Sequence, residues 1–159
     1  MPNVFLIMGD ANARKSSTIR GLTGVARASE YDVETFLAPF RLSVYAKVSS
    51  LQESHLQPVD FIQTVDTGNY DNVLVSVWFS HLNWTDPITQ QQHTFPRGEV
   101  YVQQFLQQHW IIQEIVCLGV AQLPNPLPAG LPAPLFIPLS PTMPSNEITS
   151  DIRRHWNWM

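Results

Sequence analysis

Five short apolar runs recur along this chain, at residues 3–8, 41–48, 73–79, 111–118 and 135–137. Runs of this length, rich in Val, Ile, Leu and Phe, suit strands covered on both faces, and such strands belong to parallel sheets flanked by helices. Helical signals lie between them. Residues 16–22 can form a helix stopped by Gly21 and Gly24, and Pro58 fits the first turn of another that runs to about Val65 and closes at Gly68-Asn69. Val100, Val102, Phe105 and Leu106 mark one face of a third helix, with Gln103, Gln104, Gln107 and Gln108 on the other. Ser145 caps a fourth, running from Asn146 to about Trp156. The alternation predicts an α/β fold: a three-layer sandwich with a mostly parallel sheet of about five strands.

At 159 residues the chain is a single domain with room for a substantial core. Eight of its thirteen prolines fall between Pro124 and Pro144, so residues 123–144 read as an extended surface loop around the strand at 135–137. Residues 33–37 either pair with the run at 41–48 as a hairpin or are irregular. The polar stretch from His81 to Arg97 reads as a loop, either a mobile segment over a substrate or a surface excursion without a role. The net charge is −4 and no basic cluster extends beyond Arg14-Lys15 and Arg153-Arg154, so nucleic acid is not the expected partner. The lone Cys117 lies in an apolar run and reads as a buried strand residue, and the five histidines show no metal-binding spacing. The apolar start is too short for a secretory core and no run reaches the length of a membrane span, so a cytoplasmic location with no membrane partner is expected. With charged residues at only 14%, a buried partner surface or a homo-oligomer is also open.

The first unit carries the chemistry. Its strand runs into Gly9-Asp10-Ala11-Asn12-Ala13-Arg14-Lys15-Ser16-Ser17, followed by the first helix. Gly9 permits a sharp exit from the strand, and the backbone N–H groups of residues 10–16 can form a concave nest at the positive end of the helix, where phosphate oxygens are stabilised. Lys15, one of only two lysines, can reach terminal phosphates as a point charge, and the Ser16 hydroxyl can ligate magnesium. The plainer alternative is a strand-to-helix turn with a capping serine and exposed basic residues.

Gly9, Lys15 and Ser16 at this spacing, between a strand and a helix, resemble the phosphate loop of the P-loop NTPase superfamily. Likeness in sequence covers about the first 25 residues, and the remainder matches only as a pattern of elements. The resemblance implies ATP or GTP as ligand, Mg2+ as cofactor, phosphate contacts along residues 9–17, a metal ligand at Ser16 and a catalytic role for Lys15. Two departures stand out. Arg14 occupies the place of the second glycine, where a Cβ strains a positive-φ turn by ~1 kcal/mol or more. In addition, the run at 73–79 ends in Ser80-His81, without the magnesium-associated acid that the family commonly carries after a later strand.

Glu53 is the candidate replacement. It follows the run at 41–48, hence the carboxyl end of a strand, and with Gln52 and Ser50 it can position a water or a substrate hydroxyl, or hold magnesium through its hydration shell. Alternatively these residues form a helix-capping cluster on a solvated loop. Asp10 either acts on an acceptor group or caps the turn. Arg97, Arg153 and Arg154 are either stabilisers of phosphoryl charge or solvated surface residues. The terminal aromatics pack the last helix on the sheet, cover a nucleotide base or mediate self-association. Two functions are thus expected: a small kinase-like phosphotransferase or NTPase acting on a small-molecule or protein partner, or a nucleotide- or phosphate-binding module that works without turnover through partner contacts.

Overall fold

In the computed structural model, which describes residues 1–159, the five apolar runs form β1 (Asn3–Met8), β3 (Arg41–Ala46), β4 (Asn72–Val77), β7 (Ile111–Leu118) and β8 (Leu135–Ile137). Three further strands are β2 (Ser29–Glu34), β5 (Leu82–Thr85) and β6 (Gln92–Phe95). The helices are α1 (Lys15–Thr23), α2 (Pro58–Gly68), α3 (Gly98–Gln107) and α4 (Ser145–Trp156). The main sheet has six strands in the order β2-β3-β4-β1-β7-β8. All its neighbours are parallel except β2, which pairs antiparallel with β3.

Strand β1 sits at the centre, and its side chains divide the core by their alternation. Val4, Leu6 and Met8 pack with Phe61 and Val65 of α2, Tyr101 and Phe105 of α3, and Trp110. Phe5 and Ile7 point to the opposite face, against Ile19 and Leu22 of α1 and Ile148, Ile152 and Trp156 of α4. Helices therefore cover both faces, and the three-layer α/β architecture is as the alternation predicts. Cys117 is fully buried in β7, and burial pushes its thiol pKa up to about 12, so it packs as an inert apolar residue.

Three expectations need correction. The main sheet has six strands rather than about five, because Ser29–Glu34 adds an antiparallel edge through a hairpin with β3. Only Val33 of that strand is buried, so no apolar run announces it. The stretch from His81 to Arg97 is not an irregular loop: β5 and β6 form a separate two-stranded antiparallel sheet. Its turn is held by Asp86, whose Oδ1 accepts the amides of Ile88 and Thr89 at 2.7 and 3.2 Å. Finally, Ser145 does not cap α4. Pro144 holds the cap position, and Ser145 is the first helical residue.

The topology fixes where a ligand crevice opens. Strand β1 leads into α1 on one face, whereas the adjacent β4 leads through the β5–β6 hairpin into α3 on the other. Neighbouring strands whose connections leave to opposite faces open a crevice at their carboxyl ends. No helix of the chain is long and apolar enough to cross a membrane.

Candidate functional site

The loop between β1 and α1 lies at that crevice. Gly9 donates its N–H to the Val77 carbonyl at the end of β4, at 3.2 Å. A Cβ on Gly9 would come within 2.8 Å of the Ala13 Cβ and 3.3 Å of the Leu118 carbonyl, so glycine is required by close approach of the loop to itself and to β7. The Ala13 amide closes a turn onto the Asp10 carbonyl at 3.2 Å. Asn12 and Arg14 then take left-handed conformations, with φ of 64° and 58°.

Arg14 thus occupies the conformation that the missing glycine would favour. Its side chain accounts for this: the guanidinium donates to the carbonyls of Met143 at 2.6 Å and Ser140 at 3.2 Å. These charge-assisted bonds offset the backbone cost and tie the loop to the proline-rich segment. The charge of Arg14 is committed there, and only part of the residue lines the loop's cavity.

That cavity has a volume of about 170 Å³ and is lined by Asn12, Ala13, Arg14, Lys15, Ser16, Ser17 and Glu53. It is below the ~300–1,000 Å³ of a pocket that encloses a drug-sized ligand, and suits a phosphate group and its waters. The amides of residues 14–17 find no acceptor in the protein. No acidic residue lies in the first turn of α1, and no side chain caps it. These amides and the helix dipole together present positive potential to the cavity.

Lys15 forms its floor. It is only 3% exposed, with Nζ donating to the Asp10 carbonyl at 2.5 Å and lying 5.9 Å from the centroid of the Trp78 ring. Burial lowers its pKa, while the negative charges of Glu53 and Asp10 oppose that shift. Ser16 is half-buried and its hydroxyl makes no hydrogen bond within the protein. The Asp10 carboxylate is exposed, and it is the main chain of Asp10 that serves the loop.

Glu53 reaches the same cavity from the turn after β3. Its Oε1 accepts the indole Nε1–H of Trp78 at 3.1 Å. The neighbouring Gln52 is fully buried and pins the same tryptophan by its main chain: Gln52 Oε1 accepts the Trp78 amide at 3.1 Å, and Nε2 donates to the Pro96 carbonyl at 3.1 Å. Trp78 was not singled out by sequence reasoning. It falls inside the apolar run at 73–79, where nothing in the sequence separates it from a core residue. Ser50 is buried with its hydroxyl unpartnered and is not among the residues lining the cavity.

The remaining candidates lie elsewhere. Arg97 pairs with Glu99 at 3.0 Å, Arg154 with Asp151 at 3.5 Å, and Arg153 donates to the Gly21 carbonyl at the end of α1 at 2.9 Å. Trp156 and Trp158 pack on Phe5, with ring centroids 5.4 and 5.0 Å away, so the terminal aromatics dock the last helix on the sheet. No cluster of three or more His, Cys, Asp or Glu side chains is present. The Ser16 hydroxyl and Glu53 carboxylate on one cavity fit magnesium, which takes few protein oxygens and completes its shell with phosphate and water.

No protein-family model, curated protein or solved structure matches this chain.

Proposed function

We propose that this chain binds the phosphates of ATP or GTP with magnesium at the start of α1, in the manner of a P-loop NTPase, and acts as a small kinase-like phosphotransferase or NTPase. The observation that carries this reading is the buried Lys15 beside amides that have no acceptor of their own. A buried ammonium beside first-turn amides that open on a cavity offers donors and positive charge together, and a bound polyphosphate uses both. The cavity holds the phosphates, so sugar and base extend outside it.

In this mechanism the amides of residues 14–17 fix the transferring phosphate, and Lys15 leaves the Asp10 carbonyl to neutralise charge on the terminal oxygens. Glu53 supplies the one carboxylate that faces the same space. The Ser16 hydroxyl and the Glu53 carboxylate, which line one cavity, would hold magnesium, and the ion would supply neutralisation of phosphate charge. A second reading, a nucleotide-binding module without turnover, is favoured by two observations: β4 ends without an acid, and one oxygen of Glu53 is already taken by Trp78.

Calorimetric titration of ATP, GTP and their diphosphates with magnesium into wild type and Lys15→Ala tests binding. Saturable binding by the wild type and a loss of at least 100-fold in the variant are expected, consistent with the ~3 kcal/mol or more of a desolvated charge pair. Equal affinity of the two proteins would refute the phosphate loop. Single-turnover phosphate release then separates enzyme from binding module.

A further inference from the structure

The carboxylate on the cavity is held by a tryptophan. Trp78 follows β4 directly, and three contacts fix its position. Gln52 accepts its amide at 3.1 Å, and α3 begins against its carbonyl, so closely that a Cβ on Gly98 would stand 2.5 Å from that oxygen. The indole face lies 5.9 Å from Lys15 Nζ. The indole edge then donates to Glu53 Oε1, which is the sole hydrogen bond of that carboxylate and leaves Oε2 without a partner in the protein.

We propose that Trp78 is a positioning residue for magnesium: its Nε1–H orients the Glu53 carboxylate so that the free oxygen, with the Ser16 hydroxyl, receives the cation that accompanies the nucleotide's phosphates. This inference rests on the phosphate-loop reading above. An unrestrained glutamate on an exposed turn samples many rotamers, and a fixed N–H donor removes most of that freedom before the metal arrives. The donor is neutral, so it orients the carboxylate without cancelling the charge that attracts the cation. The position after β4 thereby contributes to the metal site without supplying an acid: the acid comes from the neighbouring turn, and β4 supplies its anchor. The same side chain therefore stands beside both the lysine and the carboxylate.

The test is ATP affinity measured by calorimetry with and without Mg2+, for wild type, Trp78→Phe, Glu53→Gln and the double variant. Phenylalanine keeps an aromatic ring at this position and removes the N–H donor together with the indole's second ring. In the wild type, magnesium is expected to tighten ATP binding at least tenfold. Trp78→Phe should bind metal-free ATP within about twofold of wild type yet lose about tenfold of the magnesium-dependent gain, the effect typical of losing an outer partner of a metal ligand. Glu53→Gln should lose the gain, and the double variant should lose no more than Glu53→Gln alone. A full magnesium gain in Trp78→Phe, additive losses in the double variant, an equal loss of metal-free binding, or no magnesium gain in the wild type overturns the assignment while phosphate binding stands. If the wild type binds ATP under neither condition, the phosphate-loop reading falls and this inference falls with it. Should Trp78→Phe not fold, Glu53→Asp replaces it: the shorter side chain withdraws the carboxylate from the indole, and an undiminished magnesium gain there is equally fatal.

Discussion

Helices α1 and α2 begin in opposite ways. At α2, Pro58 removes one donor from the first turn, the Asp60 carboxylate accepts the Gln57 amide at 3.2 Å, and the amides of Asp60 and Phe61 bond back to the Gln57 carbonyl. The start of that helix is closed by its own sequence. At α1 the cap is an arginine in the left-handed conformation, no acid lies in the first turn, and the amides of residues 14–17 have no acceptor. Of the four helices, α1 alone lacks an acidic residue in its first turn. The proposed phosphate site rests on this contrast between a helix start capped by its own sequence and one left open at the sheet's topological crevice.

Lys15 gives the largest expected effect that sharpens this contrast. Burial depresses its pKa in the folded protein, so between that value and the ordinary 10.5 the unfolded chain holds more protons, and stability without ligand rises as pH increases through this window. Below the window the buried charge costs stability. Lys15→Met is therefore expected to raise the melting temperature of the free protein at pH 7 while abolishing phosphate binding, a change read by thermal denaturation with and without Mg-ATP. A variant that is less stable and still binds would mean that the lysine is structural.

Arg14→Gly comes next. It removes the left-handed strain of ~1 kcal/mol but forfeits two charge-assisted bonds to residues 140 and 143, each worth ~1.5 kcal/mol or more. A net loss of ~2 kcal/mol or more in urea unfolding and faster hydrogen exchange around residues 139–143 are expected, with nucleotide affinity within about threefold. A tenfold loss of affinity would show that the arginine charge serves the phosphates instead. The smallest effect is at the closed helix: Asp60→Ala should cost ~0.5–1 kcal/mol of stability and leave phosphate binding unchanged.

The strands of the parallel sheet were legible because burial on both faces leaves uninterrupted apolar runs; even the three residues of β8 were readable from Leu135-Phe136-Ile137. The edge strand β2 was not, since Glu30, Asp32 and Glu34 face outward and only Val33 is buried. The β5–β6 hairpin escaped for a similar reason: its polar positions face solvent, and Phe95 is its one buried side chain. At the site, the loop and Glu53 could be read because a strand's carboxyl end is a predictable place. Arg14 was visible only as a conflict. Its resolution lies in carbonyls 126 and 129 residues further along the chain, a separation that local pattern cannot span. Trp78 was hidden because its importance is a side-chain hydrogen bond across 25 residues rather than a residue type expected at that position.

The most direct test of the open helix start is to follow backbone amide resonances while Mg-ATP is added to isotopically labelled protein. The amides of residues 14–17 should shift and saturate together with the bound fraction, because they gain the acceptor they lack, while those of residues 57–61 at the start of α2 stay in place. Unmoved resonances at 14–17 in the presence of saturating nucleotide, or equal shifts at both helix starts, would contradict the account.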